Sequence, residues 1–136
     1  QSPEMEAKLK ALPEAMHWRS SIVGAFAMAE AFTNGLTWID SAVHTIEANF
    51  AFMSAQVAEK LPSVVVAQPQ NSYLSWWDVT ALNLGENPAA TILAKAKVAV
   101  VPGTDLGAGY GQFIRFNFGT SRANIEAAID AIAAIK

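Results

Sequence analysis

The spacing of apolar and polar residues divides the chain into helical and strand-like stretches. Met5 to Met16 carries a short helical pattern, and Pro13 interrupts it, because proline is tolerated in a first turn and not in a helix interior. A restart near Glu14 follows from that preference. Ser20 and Ser21 are suitable N-caps for a helix through Phe32, with Asn34-Gly35 as a left-handed stop. The alanines and Gly24 of this segment predict close packing against another backbone. Thr37-x-x-Asp40 resembles a capping box, and Ile39, Val43, Ile46, Phe50, Met53, Val57 and Leu61 then recur at spacings of three and four. This predicts a long amphipathic helix that Pro62 ends. Its Phe50, Phe52 and Met53 read as core side chains rather than as a ligand pocket.

Beyond Pro62 the period shortens. Ser63 to Ala67 is a β-branched run, Gln68 to Ser72 is a turn, and Tyr73 to Val79 is a second strand, so the three together predict a hairpin. Asn87-Pro88 supplies an N-cap and a first-turn proline for a helix to about Ala96. Val98 to Val101 reads as a third strand ended by Pro102-Gly103. Thr120 or Ser121 caps a final helix striped by Ile125, Ile129, Ile132 and Ile135. From Thr37 onward the order is α-β-β-α-β-β-α, which predicts an α+β unit, a small sheet with helices covering one face. The boundary with the leading helices falls between Thr33 and Thr37.

The fourth strand carries the candidate chemistry. Between Gln112 and Phe118, Ile114, Phe116 and Phe118 fall on one face and Phe113, Arg115 and Asn117 on the other. A guanidinium set among apolar neighbours is costly to bury unpaired, so Arg115 is expected to meet an anion or to line an open cleft. The glycines at 103, 107, 109 and 111 match neither the dinucleotide nor the Walker phosphate motif, and their loop leads into a strand. They read as a turn that lets the chain approach a neighbouring surface. Trp76, Trp77 and Asp78 read as a core tryptophan, a face tryptophan and a strand-end carboxylate.

Composition narrows the classes. In 136 residues, 52% are hydrophobic and the net charge is −3, enough for one modest core and no basic field for nucleic acid. With no cysteine there is no thiolate nucleophile or thiolate metal site, which suits a reducing cytoplasm. His17 and His44 lie on helical segments without a marked partner, and they form neither a Ser-His-Asp set nor a metal site by themselves. Ser21 to Phe32 is too short to span a bilayer and contains Glu30, so no membrane association is expected. A start at Gln rather than Met suggests that something precedes the chain.

Several blocks occur in a characteristic order: Trp38-Ile39-Asp40 opening a long helix that contains Asn49, then Leu61-Pro62, Tyr73 to Asp78, Lys97 to Gly103, and Phe113-Ile-Arg-Phe-Asn117. This series resembles the C-terminal part of fold-type I pyridoxal-phosphate enzymes, and within them the PatB/MalY group of carbon–sulfur β-lyases, often described as cystathionine β-lyases or class I/II aminotransferases. The resemblance implies that residues 1–36 are the helical end of a large cofactor-binding domain and that 37–136 are the small C-terminal domain, α/β by the convention of that superfamily. It implies that Arg115 binds the α-carboxylate of an amino-acid substrate, and that the parent protein is a cytoplasmic homodimer using pyridoxal phosphate.

The departures from the family pattern are also definite. The family's Schiff-base lysine, the aspartate on the pyridine nitrogen and most phosphate ligands lie ahead of the matched region. None of Lys8, Lys10, Lys60, Lys95, Lys97 and Lys136 sits in the lysine block, so no catalytic and no cofactor-binding residue is assigned in this chain. Leu106 stands where the family often has phenylalanine. The expected activity of the parent is cleavage of cystathionine or another cysteine conjugate to thiol, pyruvate and ammonia. The alternatives are an aminotransferase of the same fold and a non-catalytic module that binds a small molecule or a partner.

Overall fold

The computed structural model describes residues 2–17 and 21–135, the side chain of His17 excepted. Spatial proximity divides the chain into two compact units, residues 1–41 and 42–136. The first holds α1 (Pro3–Lys10), the single turn α2 (Glu14–His17), α3 (Ile22–Asn34) and the start of α4 (Leu36–Lys60). Ser2 caps α1 ahead of Pro3, and the pairs Glu4–Lys8 and Glu6–Lys10 run along its surface. Pro13 separates α1 from α2, as its missing donor dictates. Of the two expected caps for α3, Ser21 accepts a hydrogen bond from the Gly24 N–H at 3.1 Å, whereas Ser20 lies outside the described residues.

Three expectations for this unit are corrected. Gly35 is not left-handed; at φ −84° it is right-handed, its N–H bonding the Ala31 carbonyl while its own carbonyl accepts from Ile39. A glycine is needed there because a Cβ would stand 2.3 Å from the Ala31 oxygen. Thr37 does not cap α4, which begins at Leu36 directly after that shared junction. The small-residue face of α3 is not tightly packed either, since no residue of that helix is buried.

The second unit is a four-stranded antiparallel sheet in the order β1-β2-β4-β3, formed by β1 (Val65–Ala67), β2 (Leu74–Asp78), β3 (Val101–Pro102) and β4 (Phe113–Asn117). With α5 (Pro88–Ala96) and α6 (Arg122–Ala133), the order from α4 onward is the α-β-β-α-β-β-α that the sequence pattern predicts. Two 3₁₀ turns, Thr80–Leu82 and Gly103–Asp105, are added to it. β3 is shorter than Val98 to Val101 because only Val101 and Pro102 find partners on β4; Val98 and Val100 pack against the core without entering the ladder. Proline is tolerated at this position because β3 is an edge strand.

One sheet face is dry. Met53 and Val57 of α4, Ala89 and Ile92 of α5, and Ile125, Ile129 and Ile132 of α6 close over Trp77, Ile114 and Phe116. Phe50 and Phe52 pack beside Met53, as core side chains. Each fully buried side chain of this kind contributes roughly 1.5–3 kcal/mol of transfer free energy. The buried residues Ser75 and Asn49 are hydrogen-bonded within the core. Ser75 accepts from Trp77 Nε1 at 2.8 Å and donates to the Phe116 carbonyl, and the Asn49 amide donates to the carbonyls of Phe118 and Thr120 at 3.2 and 2.8 Å. Strict alternation sends the remaining strand residues to the opposite face, which no helix of this unit covers.

Candidate active-site face

The uncovered face carries Leu74, Trp76 and Asp78 from β2, Val101 from β3, and Phe113, Arg115 and Asn117 from β4. Arg115 lies at its centre, with Trp76 opposite on one side and Val101 opposite on the other. Its Nε is buried and has no hydrogen-bond partner, and no carboxylate among the described residues pairs with it. Leaving such a donor unmade is costly, so the arrangement suits an incoming anion. Because the guanidinium is a planar fork, the anion that matches it best is a carboxylate or a phosphate.

Asp78 is the counterion one would expect, since it shares the face and stands diagonally from Arg115 across the strand pair. It is otherwise engaged. Its Oδ1 accepts from the Thr80 hydroxyl at 2.5 Å and from the Thr80 N–H at 3.0 Å, and the side-chain bond followed by the backbone bond lowers its pKa below the ordinary aspartate value. The carboxylate is therefore turned along its own strand end and leaves the guanidinium open.

Beside the arginine stands an aromatic cluster. Trp76 stacks on Phe113 with centroids 5.5 Å apart and planes 14° from parallel, and Tyr110 meets both rings edge-on at 5.4 and 5.5 Å. The expected assignment, Trp76 in the core and Trp77 on the face, is reversed: the strand alternation buries Trp77 fully and puts Trp76 on the open face. Tyr110 was not among the residues singled out. Its position two residues before the start of the Arg115 alternation, inside the glycine-rich loop, is the only sequence signal for it.

None of the described lysines belongs to the strands of this face. Lys8 and Lys10 belong to α1, Lys60 bonds Asp130 and lies 4.0 Å from Glu126, Lys95 is in the last turn of α5, and the Lys97 ammonium donates to the Ala94 carbonyl. Lys136 lies outside the described residues. His44 is exposed on α4. A groove of about 650 Å³ between α4 and the β1–β2 connection, floored by Ile46, Phe50 and Phe118, shares no lining residue with the arginine face. The residues present thus fit an anion receptor on the strands, and no described lysine on that face is available to hold an aldehyde cofactor.

No family model matches the chain. Cystathionine beta-lyase PatB of Bacillus subtilis is 35% identical over 101 residues, which cover 74% of this chain and 26% of that protein. A crystal structure described as a "putative plp-dependent beta-cystathionase" from Corynebacterium diphtheriae superposes with a TM-score of 0.83 at 27% identity, covering 97% of this chain and 35% of that one. A PLP-bound "putative aminotransferase" from Clostridium difficile 630 superposes with a TM-score of 0.71 at 31% identity, covering 76% of this chain and 27% of that one. The chain therefore spans about a third or less of the length of these relatives. From its ordered sequence blocks, its α+β fold and these matches, the chain belongs to the fold-type I pyridoxal-phosphate enzymes, as a C-terminal part of one resembling the PatB and MalY proteins.

Proposed function

We propose that the chain is the substrate-carboxylate lobe of a pyridoxal-phosphate-dependent carbon–sulfur β-lyase, which converts a cysteine conjugate such as cystathionine, with water, to a thiol, pyruvate and ammonia. The observation that carries this reading is Arg115, whose buried Nε is unpaired on a strand face that no helix of its unit covers. Two parallel charge-assisted hydrogen bonds from the guanidinium hold the α-carboxylate. Fixing that end restricts rotation about the Cα–carboxylate axis and sets the direction of the Cα–H bond that is to break. When bound, pyridoxal phosphate supplies an electron sink for the charge left at Cα. The base that takes the α-proton is assigned to the longer protein, because no lysine of this chain lies in the family's lysine block.

The same reading makes residues 1–36 part of a large domain and 37–136 the small domain of a cytoplasmic homodimer. By itself the chain is inactive. Incubation with pyridoxal phosphate followed by borohydride should label no lysine stoichiometrically, and a single stoichiometric adduct at a mapped lysine would contradict this.

In the longer protein, Arg115→Ala should lower kcat/KM by about 100-fold or more, the scale of a lost charge-assisted pair at 1.4 kcal/mol per tenfold. Arg115→Lys should recover only part of it, because the ammonium lacks the planar fork. Unchanged steady-state kinetics in Arg115→Ala would remove the assignment. The Clostridium difficile match favours a second reading, an aminotransferase using the same arginine for the same carboxylate. Supplying a 2-oxo acid and measuring amino transfer against pyruvate release separates the two.

A further inference from the structure

We propose that Tyr110, held by the glycine-rich loop against Trp76 and Phe113, is a specificity-determining residue that makes the site favour cysteine conjugates with an uncharged, apolar or aromatic group on sulfur over cystathionine, whose second amino-acid end is charged. The inference rests on Arg115 as the carboxylate receptor. A carboxylate seated there brings the rest of the substrate over the neighbouring positions of the same face. On the β2 side that neighbour is Trp76, directly opposite Arg115, and Trp76 stacks on Phe113. Tyr110 closes the cluster edge-on and is the most accessible of the three rings, at 44% exposure. Such a wall favours a thioether sulfur and an apolar substituent, which gain ring contact and lose little hydration. A second carboxylate would lose hydration against it, and the strand residues of this face provide no second cation to receive one.

The loop is built around this ring. Gly103 lets the chain fold back on itself, since a Cβ there would stand 2.2 Å from the Tyr110 carbonyl oxygen and 2.8 Å from that of Phe113. The Phe113 N–H donates to the Tyr110 carbonyl at 3.0 Å, which anchors Tyr110 at the start of the arginine strand. Gly107 lies under the ring itself, where a Cβ would meet Tyr110 Cδ2 and Cε2 at 3.1 Å. Gly109, at φ +94°, turns the chain back between them. Glycines that match no phosphate motif thus acquire a role in placing one aromatic side chain beside the guanidinium.

The test uses the full-length enzyme loaded with pyridoxal phosphate and three substrates: S-benzyl-cysteine, S-methyl-cysteine and S-carboxymethyl-cysteine. The wild type should prefer the benzyl to the carboxymethyl conjugate. Tyr110→Ala should lower kcat/KM for S-benzyl-cysteine about five- to tenfold, mainly through KM, and change S-methyl-cysteine by less than about twofold, the scale of an aromatic contact. Tyr110→Phe should keep the benzyl preference, because the ring and not the hydroxyl makes the wall. Gly107→Ala should shift it in the same direction as Tyr110→Ala but less, and add nothing in the Tyr110→Ala background. A Tyr110→Ala enzyme impaired equally on the benzyl and methyl substrates would overturn the proposal, as would a wild type indifferent to the substituent. Arg115→Ala separates the two levels: it should impair all three substrates alike, and its failure to do so sinks the carboxylate reading while the benzyl-to-methyl ratio in Tyr110→Ala still decides the wall.

Discussion

Arg115 is kept open by a bond made elsewhere. Asp78 shares its face, and Thr80 holds the Asp78 carboxylate with both a hydroxyl and an amide. Thr80→Ala removes the larger of the two causes that lower the Asp78 pKa and frees the carboxylate to compete with the substrate carboxylate proposed for Arg115. Kinetics of the longer protein should then show KM raised by about two- to fivefold with kcat little changed, the scale of an exposed ion pair. The same bond has a pH signature. A carboxyl whose pKa is lowered on folding contributes stability above its unfolded pKa and loses it as pH falls through the folded value. Asp78→Asn should therefore flatten the stability profile in the acid range, below about pH 4, and leave its slope near neutrality unchanged, as acid titration by circular dichroism would report. Asn49 illustrates the opposite case, a polar group that is fully occupied. Asn49→Ala leaves the carbonyls of Phe118 and Thr120 without their donor and should cost about 1–3 kcal/mol in urea unfolding with an unchanged m value.

At the scale of elements, the face that holds the site depends on register. Ile114, Phe116 and Trp77 fill the core only if Arg115 and Trp76 point the other way, so the same alternation that closes the core exposes the guanidinium. Asn49 ties α4 to the end of β4, and Lys60 bonds Asp130 to tie α4 to α6. The lysine pKa is raised first by that bond, so its contribution is present below the ordinary lysine range and is lost only as pH rises through the raised value. The loop before β4 tolerates little change at Gly103. Gly103→Ala would push a Cβ into two backbone oxygens that cannot swing aside, and should destabilise by about 1–3 kcal/mol. Thermal unfolding of that variant beside Gly111→Ala, where a Cβ meets nothing within 4 Å, checks the contrast.

At the scale of the whole molecule, the first unit leaves large side chains in water: Phe26 is 72% exposed and Phe32 82% on α3, and Trp38 73% at the start of α4. Large apolar side chains left exposed in this number promote association. The isolated chain should show concentration-dependent self-association in sedimentation velocity. The pair Phe26→Glu and Phe32→Glu should shift it toward monomer without changing the near-ultraviolet signature of Trp77 in the second unit. A monomeric wild-type chain at high concentration would count against this expectation.

The sequence by itself determined the element order from α4 to α6 and the two faces of β4, with Arg115 on the one turned away from the core. These follow from local period and from the cost of placing a guanidinium among apolar side chains, and both are properties of neighbours along the chain. The caps at Ser21, Asn87 and Ser121 were legible for the same reason, since a cap is a bond between residues three apart. The junction at Gly35 and the two-residue β3 were not, because each is decided by what the segment meets: an immediately following helix in one case and the limited pairing of β4 in the other. Only the tertiary structure could turn Asp78 away from Arg115 and bring Tyr110 onto Trp76 and Phe113. Diagonal partners and ring contacts are set by strand pairing and loop closure, which join residues that the local pattern does not relate.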